Sequence, residues 1–168
     1  MTPRASQLSP QPMDALWMPY TANRQFKSAP RMITGAQGNY LIDDSGRKIF
    51  DGLSGLWTCG AGHNRPEITE AVAKQLATLD YAPAFQYGHN LAFELAERLA
   101  AMAPSDINKV FFTNSGSEAA DTATKMARAY WRQQGQPTKT RIIGRAKGYH
   151  GASWGGISFG GIGANRKM

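Results

Sequence analysis

The stretch that decides the fold is residues 111–121, Phe111-Phe112-Thr113-Asn114-Ser115-Gly116-Ser117-Glu118-Ala119-Ala120-Asp121. It begins in an almost wholly apolar run, Lys109–Thr113, which predicts a buried parallel strand. Asn-Ser-Gly-Ser then leads directly into a helix. Gly116 has no Cβ, so a ligand can approach the backbone there, and Ser115 and Ser117 add hydroxyl groups. Because the first N–H groups of a helix lack internal partners, we expect an anion site here, suited to the phosphate of a cofactor.

A simpler interpretation of the same turn is helix capping. Ser115 and Glu118 fit the capping box S-x-x-E, in which each side chain bonds a backbone N–H group near the helix start. Capping and anion binding are compatible, because a cap fixes the N–H groups that would hold a phosphate. The spacing leaves both open, since the segment matches neither the Walker pattern nor the dinucleotide pattern GxGxxG.

A second cluster, residues 144–151 (Gly-Arg-Ala-Lys-Gly-Tyr-His-Gly), follows the candidate strand Arg141–Gly144. Loops after strands are where α/β proteins place ligand contacts, and Tyr149 could stack on a flat ring. Taken alone, Tyr149 is better explained by packing of the loop onto the sheet, and His150 by a structural hydrogen bond. The three histidines are too scattered to indicate a metal site, so we predict none.

The rest of the chain indicates alternating helices and strands. A hairpin is expected over Arg31–Phe50 around Asp44-Ser45-Gly46, a helix from Pro66, a second helix capped by Asn90, and a third over Gly116–Gln134. Apolar stripes predict one buried face on each of the first two helices: Ile68, Val72, Leu76 and Leu79, then Leu91, Leu95, Leu99 and Met102. The pattern predicts an α/β fold.

Composition excludes several classes of protein. The chain has 168 residues and 42% hydrophobic residues, which argues against disorder and allows a core of useful size. No stretch approaches the roughly 20 apolar residues of a membrane span, and the N-terminus lacks the apolar region of a secretory signal. Cys59 is the single cysteine, so neither an intrachain disulfide nor a multi-cysteine zinc site is possible. We expect a soluble, cytoplasmic protein.

The net charge of +7 is unevenly distributed. All 12 acidic residues lie at or before Asp121, whereas nine basic residues and no acid follow it. One interpretation is a basic module that binds nucleic acid through residues 122–168. The other is that the balancing acids belong to sequence beyond Met168.

Two long motifs favour the second interpretation. FFTNSGSEAADTATKMARAYW (111–131) and IIGRAKGYHG (142–151) resemble the class III (omega) aminotransferases, which depend on pyridoxal 5′-phosphate. Asp51-Gly52 and Gly62-His63 in residues 50–68, and LDYAPAFQYGH (79–89), are similar to further landmarks of that family. Residues 16–31 and 160–168 resemble a narrower group, which transfers amino groups between omega-amino acids such as beta-alanine and pyruvate. Ala120 departs from the asparagine of many members.

The resemblance implies a fold and a domain organisation. The fold would be the N-terminal part of a fold-type-I pyridoxal-phosphate-dependent transferase. Residues 1–30 would form an N-terminal arm, residues 31–65 part of the small domain, and residues 66–168 the start of the large cofactor-binding domain. The family places its active site at a dimer interface, so a homodimer is expected of the complete protein.

The resemblance also implies roles for individual residues. Ser115, Gly116 and Ser117 look like the phosphate cradle. Tyr149 looks like the ring that stacks on the cofactor, with His150 beside it. Trp57 resembles the residue that forms the aromatic wall of the family's substrate pocket, and Tyr20 and Phe85 would add to that wall. The alternative for Trp57 is an ordinary core tryptophan.

The implied reaction is a ping-pong transfer from an omega-amino acid or amine to pyruvate. A Schiff-base lysine carries the chemistry in this family, and none of the eight lysines here lies in its context, so that residue is expected beyond Met168 and residues 1–168 alone are expected to be inactive. A nearer alternative is an aminomutase or a class III enzyme with another acceptor. Neither nucleic acid nor membrane is an expected partner.

Overall fold

The computed structural model describes residues 13–167. The described residues form two compact units, which divide between Ala82 and Pro83. The arm, small-domain and large-domain boundaries expected at residues 30 and 65 refer to the complete family fold and stay a prediction.

The first unit contains a three-stranded antiparallel sheet in the order β1 (Ile33–Gln37), β2 (Tyr40–Asp43) and β3 (Lys48–Phe50). The predicted hairpin is confirmed for β2 and β3, and β1 extends it into a meander through a two-residue turn at Gly38-Asn39. Tyr40 lies opposite Phe50, and their rings meet edge to face with centroids 5.8 Å apart. Such cross-strand aromatic pairs are a main source of stability in small sheets.

The side chain of Asp43 closes the turn between β2 and β3. Its Oδ1 accepts hydrogen bonds from the Ser45 N–H and hydroxyl and from the Arg47 N–H, and its Oδ2 accepts from the Arg47 guanidinium. These donors, the Ser45 hydroxyl first, lower the pKa of the buried Asp43 carboxyl below its ordinary value of 3.8, and burial opposes them in part. Gly46, which lies between Ser45 and Arg47, has a φ of 83°.

Three helical segments complete the first unit: α1 (Asn23–Ser28), α2 (Ser54–Trp57) and α3 (Pro66–Thr78). The helix α3 begins at Pro66 as predicted, because proline suits a first position whose N–H would be unpaired in any case. Residues 1–12 of the expected arm lie outside the described residues, and α1 lies within the remainder. The α2 segment is a single turn with left-handed backbone angles.

The second unit contains α4 (Asn90–Met102), α5 (Gly116–Gln133) and α6 (Trp154–Phe159), followed by a 3-10 turn at Gly163–Arg166. The expected cap of α4 is wrong by one residue: Asn90 is already helical, and the His89 imidazole accepts the hydrogen bond from the Leu91 N–H. No helix among the described residues is long and apolar enough to cross a membrane.

Two expected strands form no sheet ladder. Within residues 13–167, the only sheet is β1–β3, and neither 109–113 nor 141–144 pairs with a strand. The sequence predicted their apolar character, but a strand also requires a neighbour that supplies hydrogen bonds along its whole length. Phe111 and Phe112 are accordingly exposed rather than buried.

The apolar stripes of α3 and α4 are also exposed, contrary to the expectation of buried faces. No hydrophobic side chain in the described part of the chain is buried. Periodicity predicts which face of a helix is apolar, whereas burial depends on a second element against that face. Among the described residues, no other element makes a substantial contact with α3 or α4, so this part of the chain lacks the expected core of useful size.

Candidate functional site

The N-terminus of α5 is held by a capping arrangement. The Ser115 hydroxyl accepts a hydrogen bond from the Glu118 N–H at 3.1 Å. The Glu118 carboxylate reaches back to the N–H group of Asn114 at 2.9 Å and to its side-chain amide at 3.2 Å. The predicted capping box is therefore confirmed, except that its return bond goes to the residue before the cap.

This cap leaves two backbone donors free. Among residues 13–167, no acceptor meets the N–H groups of Gly116 and Ser117. A Cβ added at Gly116 would have no atom within 4 Å, so the approach to these donors is open. Free N–H groups at the positive end of an 18-residue helix can hold an anion such as a phosphate.

The hydroxyl of Ser117 joins the second motif to this helix end. It accepts a hydrogen bond from the Ala152 N–H at 2.9 Å, across 35 residues of sequence. The backbone carbonyl of Ser117 accepts a longer bond from the Ser153 hydroxyl at 3.4 Å. Because a hydroxyl has one donor as well as its acceptor positions, Ser117 can still donate its proton to an anion.

Gly151 permits this contact. Its φ is 103°, a value that other residues rarely adopt, and it is buried. A Cβ on Gly151 would lie 2.5 Å from Ser117 Oγ and 2.7 Å from Ser117 Cα. The sequence predicted ligand contacts on both sides of this junction, and the structure brings the two segments together directly.

Asp121 is a site residue that the sequence analysis missed. It lies one turn after Ser117 on α5, and its Oδ1 accepts a hydrogen bond from the Gly156 N–H at 3.2 Å. A Cβ at Gly155 would collide with the same oxygen. The i, i+4 spacing of Ser117 and Asp121 was the available signal, because it places both on one face of the helix. Asp121 thereby fixes the start of α6 against α5.

Tyr149 and His150 lie beside the junction. The Tyr149 side chain is 57% exposed, so its ring is free to meet a ligand. The His150 ring instead packs against Phe159, with centroids 5.3 Å apart and planes at 47°. This contact gives His150 a packing role rather than the structural hydrogen bond considered from the sequence, and its expected place beside the cofactor stays a prediction.

The three expected pocket aromatics lie in open positions. In the first unit, Tyr20 is 89% exposed with a φ of 49°, and Trp57 is 78% exposed with a φ of 73°. No ring contact joins Tyr20 to Trp57 among the described residues. In the second unit, Phe85 is 85% exposed and precedes Gln86, whose φ is 68°. Their assignment to a substrate pocket stays a prediction.

A short hydrogen bond joins the side chains of Asp51 and His63 in the first unit. His63 Nε2 lies 2.7 Å from Asp51 Oδ2, and the two side chains are only 14% and 8% exposed. The His63 hydrogen bond is the largest cause that lowers the pKa of Asp51 below 3.8; burial opposes it, and the N–H groups of Gly55 and Leu53 add to it. The sequence analysis marked both residues as family landmarks but gave them no role.

Comparison with known proteins identifies the family. The model of the class-III aminotransferases matches residues 21–167. The beta-alanine–pyruvate aminotransferase of Pseudomonas aeruginosa is 65% identical over 92% of this chain and 34% of its own length. The omega-amino acid–pyruvate aminotransferase of Pseudomonas putida is 63% identical over 98% of this chain and 36% of its own length.

Solved structures agree with this assignment. The crystal structure of the omega transaminase of Pseudomonas jessenii, in complex with PMP, has a TM-score of 0.86 and 36% identity over 90% of this chain and 34% of that one. The chain thus spans about a third of the length of the relatives it matches. Its fold is a partial form of the mixed helix and strand architecture of the omega-transaminases. The chain belongs to the class-III aminotransferase family.

Proposed function

We propose that the complete protein uses pyridoxal 5′-phosphate to transfer an amino group from an omega-amino acid of the beta-alanine type, or an amine, to pyruvate. The proposal depends on one observation above all. The free N–H groups of Gly116 and Ser117 lie beside the Tyr149-His150 segment, because Ser117 Oγ accepts the Ala152 N–H. Two relatives above 60% identity carry names that specify this reaction.

The residues of the α5 N-terminus fit the phosphate of the cofactor. A phosphate requires several donors and an approach free of side chains. Gly116 and Ser117 provide two free N–H groups, the Ser117 hydroxyl provides a third donor, and the space above Gly116 is open. The Glu118 carboxylate does not compete, because it bonds Asn114 behind the turn.

The remaining site residues orient the ring and the substrate. When bound, the cofactor acts as an electron sink that labilises a bond at the amino-bearing carbon of the donor. Tyr149, with its ring exposed, would stack on the ring, and His150 would lie beside it. Trp57, Tyr20 and Phe85 would line the substrate pocket.

We further propose that the Schiff-base lysine lies outside residues 1–168. The eight lysines of this chain include none in the sequence context that the family uses. Residues 1–168 alone should then form no borohydride-reducible cofactor adduct at a single lysine, whereas the complete protein should form one. Peptide mapping of the reduced proteins by mass spectrometry distinguishes these outcomes. A single labelled lysine within residues 1–168 would refute this part of the proposal.

The reaction itself is tested by nitrogen transfer in the complete protein. With 15N-labelled beta-alanine and pyruvate, we expect 15N-alanine to form only when both substrates are present. An aminomutase would isomerise the donor without pyruvate, and an enzyme with a different acceptor would transfer nitrogen to another keto acid. Either result would replace the proposed reaction within the same family.

Three further expectations accompany the proposal. The complete protein would be a homodimer, because class III members form their active sites between subunits. It would lie in the cytoplasm. Its arm, small domain and large domain would meet near residues 30 and 65.

A further inference from the structure

The α2 turn holds Trp57 in an unusual backbone conformation. Ser54, Gly55, Leu56 and Trp57 have φ values of 50°, 60°, 60° and 73°, so the whole turn is left-handed. Only glycine adopts this region readily, and the other three residues require contacts elsewhere to hold them there. The origin of those contacts indicates what fixes the position of Trp57.

The carboxylate of Asp51 supplies the first set of contacts. Its Oδ1 accepts the Leu53 N–H at 3.2 Å, and its Oδ2 accepts both the Gly55 N–H at 2.7 Å and His63 Nε2 at 2.7 Å. An ionised carboxylate only accepts, so Nε2 of His63 must carry a proton. One side chain therefore joins the start of the turn to a residue that follows it in the sequence.

The loop between Asp51 and His63 is hydrogen-bonded at both ends to the turn between β1 and β2. The Asp51 N–H donates to the carbonyl of Asn39 at 2.9 Å. His63 and Gly38 exchange two backbone hydrogen bonds of 2.9 and 2.7 Å. The turn between β1 and β2 thus binds both ends of the loop, and the Asp51–His63 pair closes the loop that carries Trp57.

We propose that Asp51 and His63 are positioning residues that set the conformation of the Trp57 turn and, through it, the aromatic wall of the substrate pocket. The link to the substrate pocket rests on the proposed function, whereas the effect on the Trp57 turn does not. Neither residue needs to touch substrate or cofactor. Together with the backbone hydrogen bonds from the Trp57 N–H to the Leu53 carbonyl at 2.9 Å and from the Cys59 N–H to the Ser54 carbonyl at 2.8 Å, they hold three non-glycine residues in a left-handed turn.

The test uses the complete protein labelled with 5-fluorotryptophan. The 19F resonance of Trp57 is assigned with Trp57→Phe. Asp51→Asn keeps the size of the side chain but removes one of its two acceptor oxygens. His63→Leu removes the Nε2 donor, whereas His63→Gln keeps an N–H group near the same position. The matched control is Asp43→Asn, which removes a carboxylate that accepts four hydrogen bonds in the other turn of the same sheet, against three for Asp51.

We expect Asp51→Asn and His63→Leu to shift or broaden the Trp57 resonance, and His63→Gln and Asp43→Asn to leave it in place. In steady-state assays the first two variants should raise KM for the amino donor about tenfold with kcat within about twofold, since donor positioning is lost while the chemical step is retained. An unchanged Trp57 resonance in both Asp51→Asn and His63→Leu would overturn the proposal. So would an equal shift in Asp43→Asn, which would indicate general destabilisation.

The two proposals can fail separately. If the complete protein transfers no amino group but the Trp57 resonance responds as expected, the proposed function is wrong and the positioning role stands. If transfer occurs and the resonance shifts without any change in KM for the donor, the turn is positioned as described but its link to the pocket is refuted.

Discussion

Replacement of Gly151 by alanine should separate the two halves of the candidate phosphate site. The added Cβ would lie 2.5 Å from Ser117 Oγ and 2.7 Å from Ser117 Cα, and the second of these atoms belongs to the backbone of α5. To relieve this clash, either the Gly151 loop or α5 must move. The first consequence is loss of the hydrogen bond between the Ala152 N–H and Ser117 Oγ.

The expected cost has two parts. A φ of 103° is unfavourable for alanine, by about 1–2 kcal/mol if it resembles other left-handed conformations. Overpacking against fixed atoms adds about 1–3 kcal/mol. If 2 kcal/mol of this total is lost from the free energy of cofactor binding, the Kd of the complete protein for pyridoxal 5′-phosphate rises about 30-fold.

The assay is a fluorescence or absorbance titration of the apo form of the complete protein. Gly135→Ala is the matched control, because Gly135 also has a positive φ, 72°, but an added Cβ there meets no atom within 4 Å. We expect the control to lose stability without losing cofactor affinity. The reasoning is refuted if Gly151→Ala binds the cofactor as tightly as the control does.

Two further predictions concern stability. Ser115→Ala removes the side-chain cap of α5 and should lower the free energy of unfolding by about 1 kcal/mol in chemical denaturation; no change would mean that the cap is redundant. The lowered pKa values of Asp43 and Asp51 contribute stability that is complete above the ordinary value of 3.8 and is lost as the pH falls through the lowered values. Between pH 2 and 5, the free energy of unfolding should therefore fall more steeply with decreasing pH in the wild type than in Asp43→Asn. Equal slopes of unfolding free energy against pH would contradict the lowered pKa of Asp43.

Local features were predictable from the sequence because they depend on neighbours along the chain. Pro66 starts α3, Ser115 and Glu118 cap α5, and Asp44-Ser45-Gly46 turns between β2 and β3, all as expected. The His89 cap was missed because asparagine, the next residue, is by far the commoner capping residue.

Features that depend on distant partners could not be predicted in the same way. The apolar runs at 109–113 and 141–144 were recognised, but their strands lack neighbours within the described residues. The left-handed α2 turn gave no signal, because serine, leucine and tryptophan rarely adopt it. Its cause, the Asp51–His63 pair, joins residues 12 positions apart.

The N-terminus of α5 and the Gly151 loop are proposed to hold the cofactor phosphate. A crystal structure of the complete protein with pyridoxal 5′-phosphate tests it most directly. We predict phosphate oxygens about 3 Å from the N–H groups of Gly116 and Ser117 and from Ser117 Oγ, with the Ser117–Ala152 hydrogen bond intact. A phosphate held by other residues, with these donors facing solvent, would contradict the account.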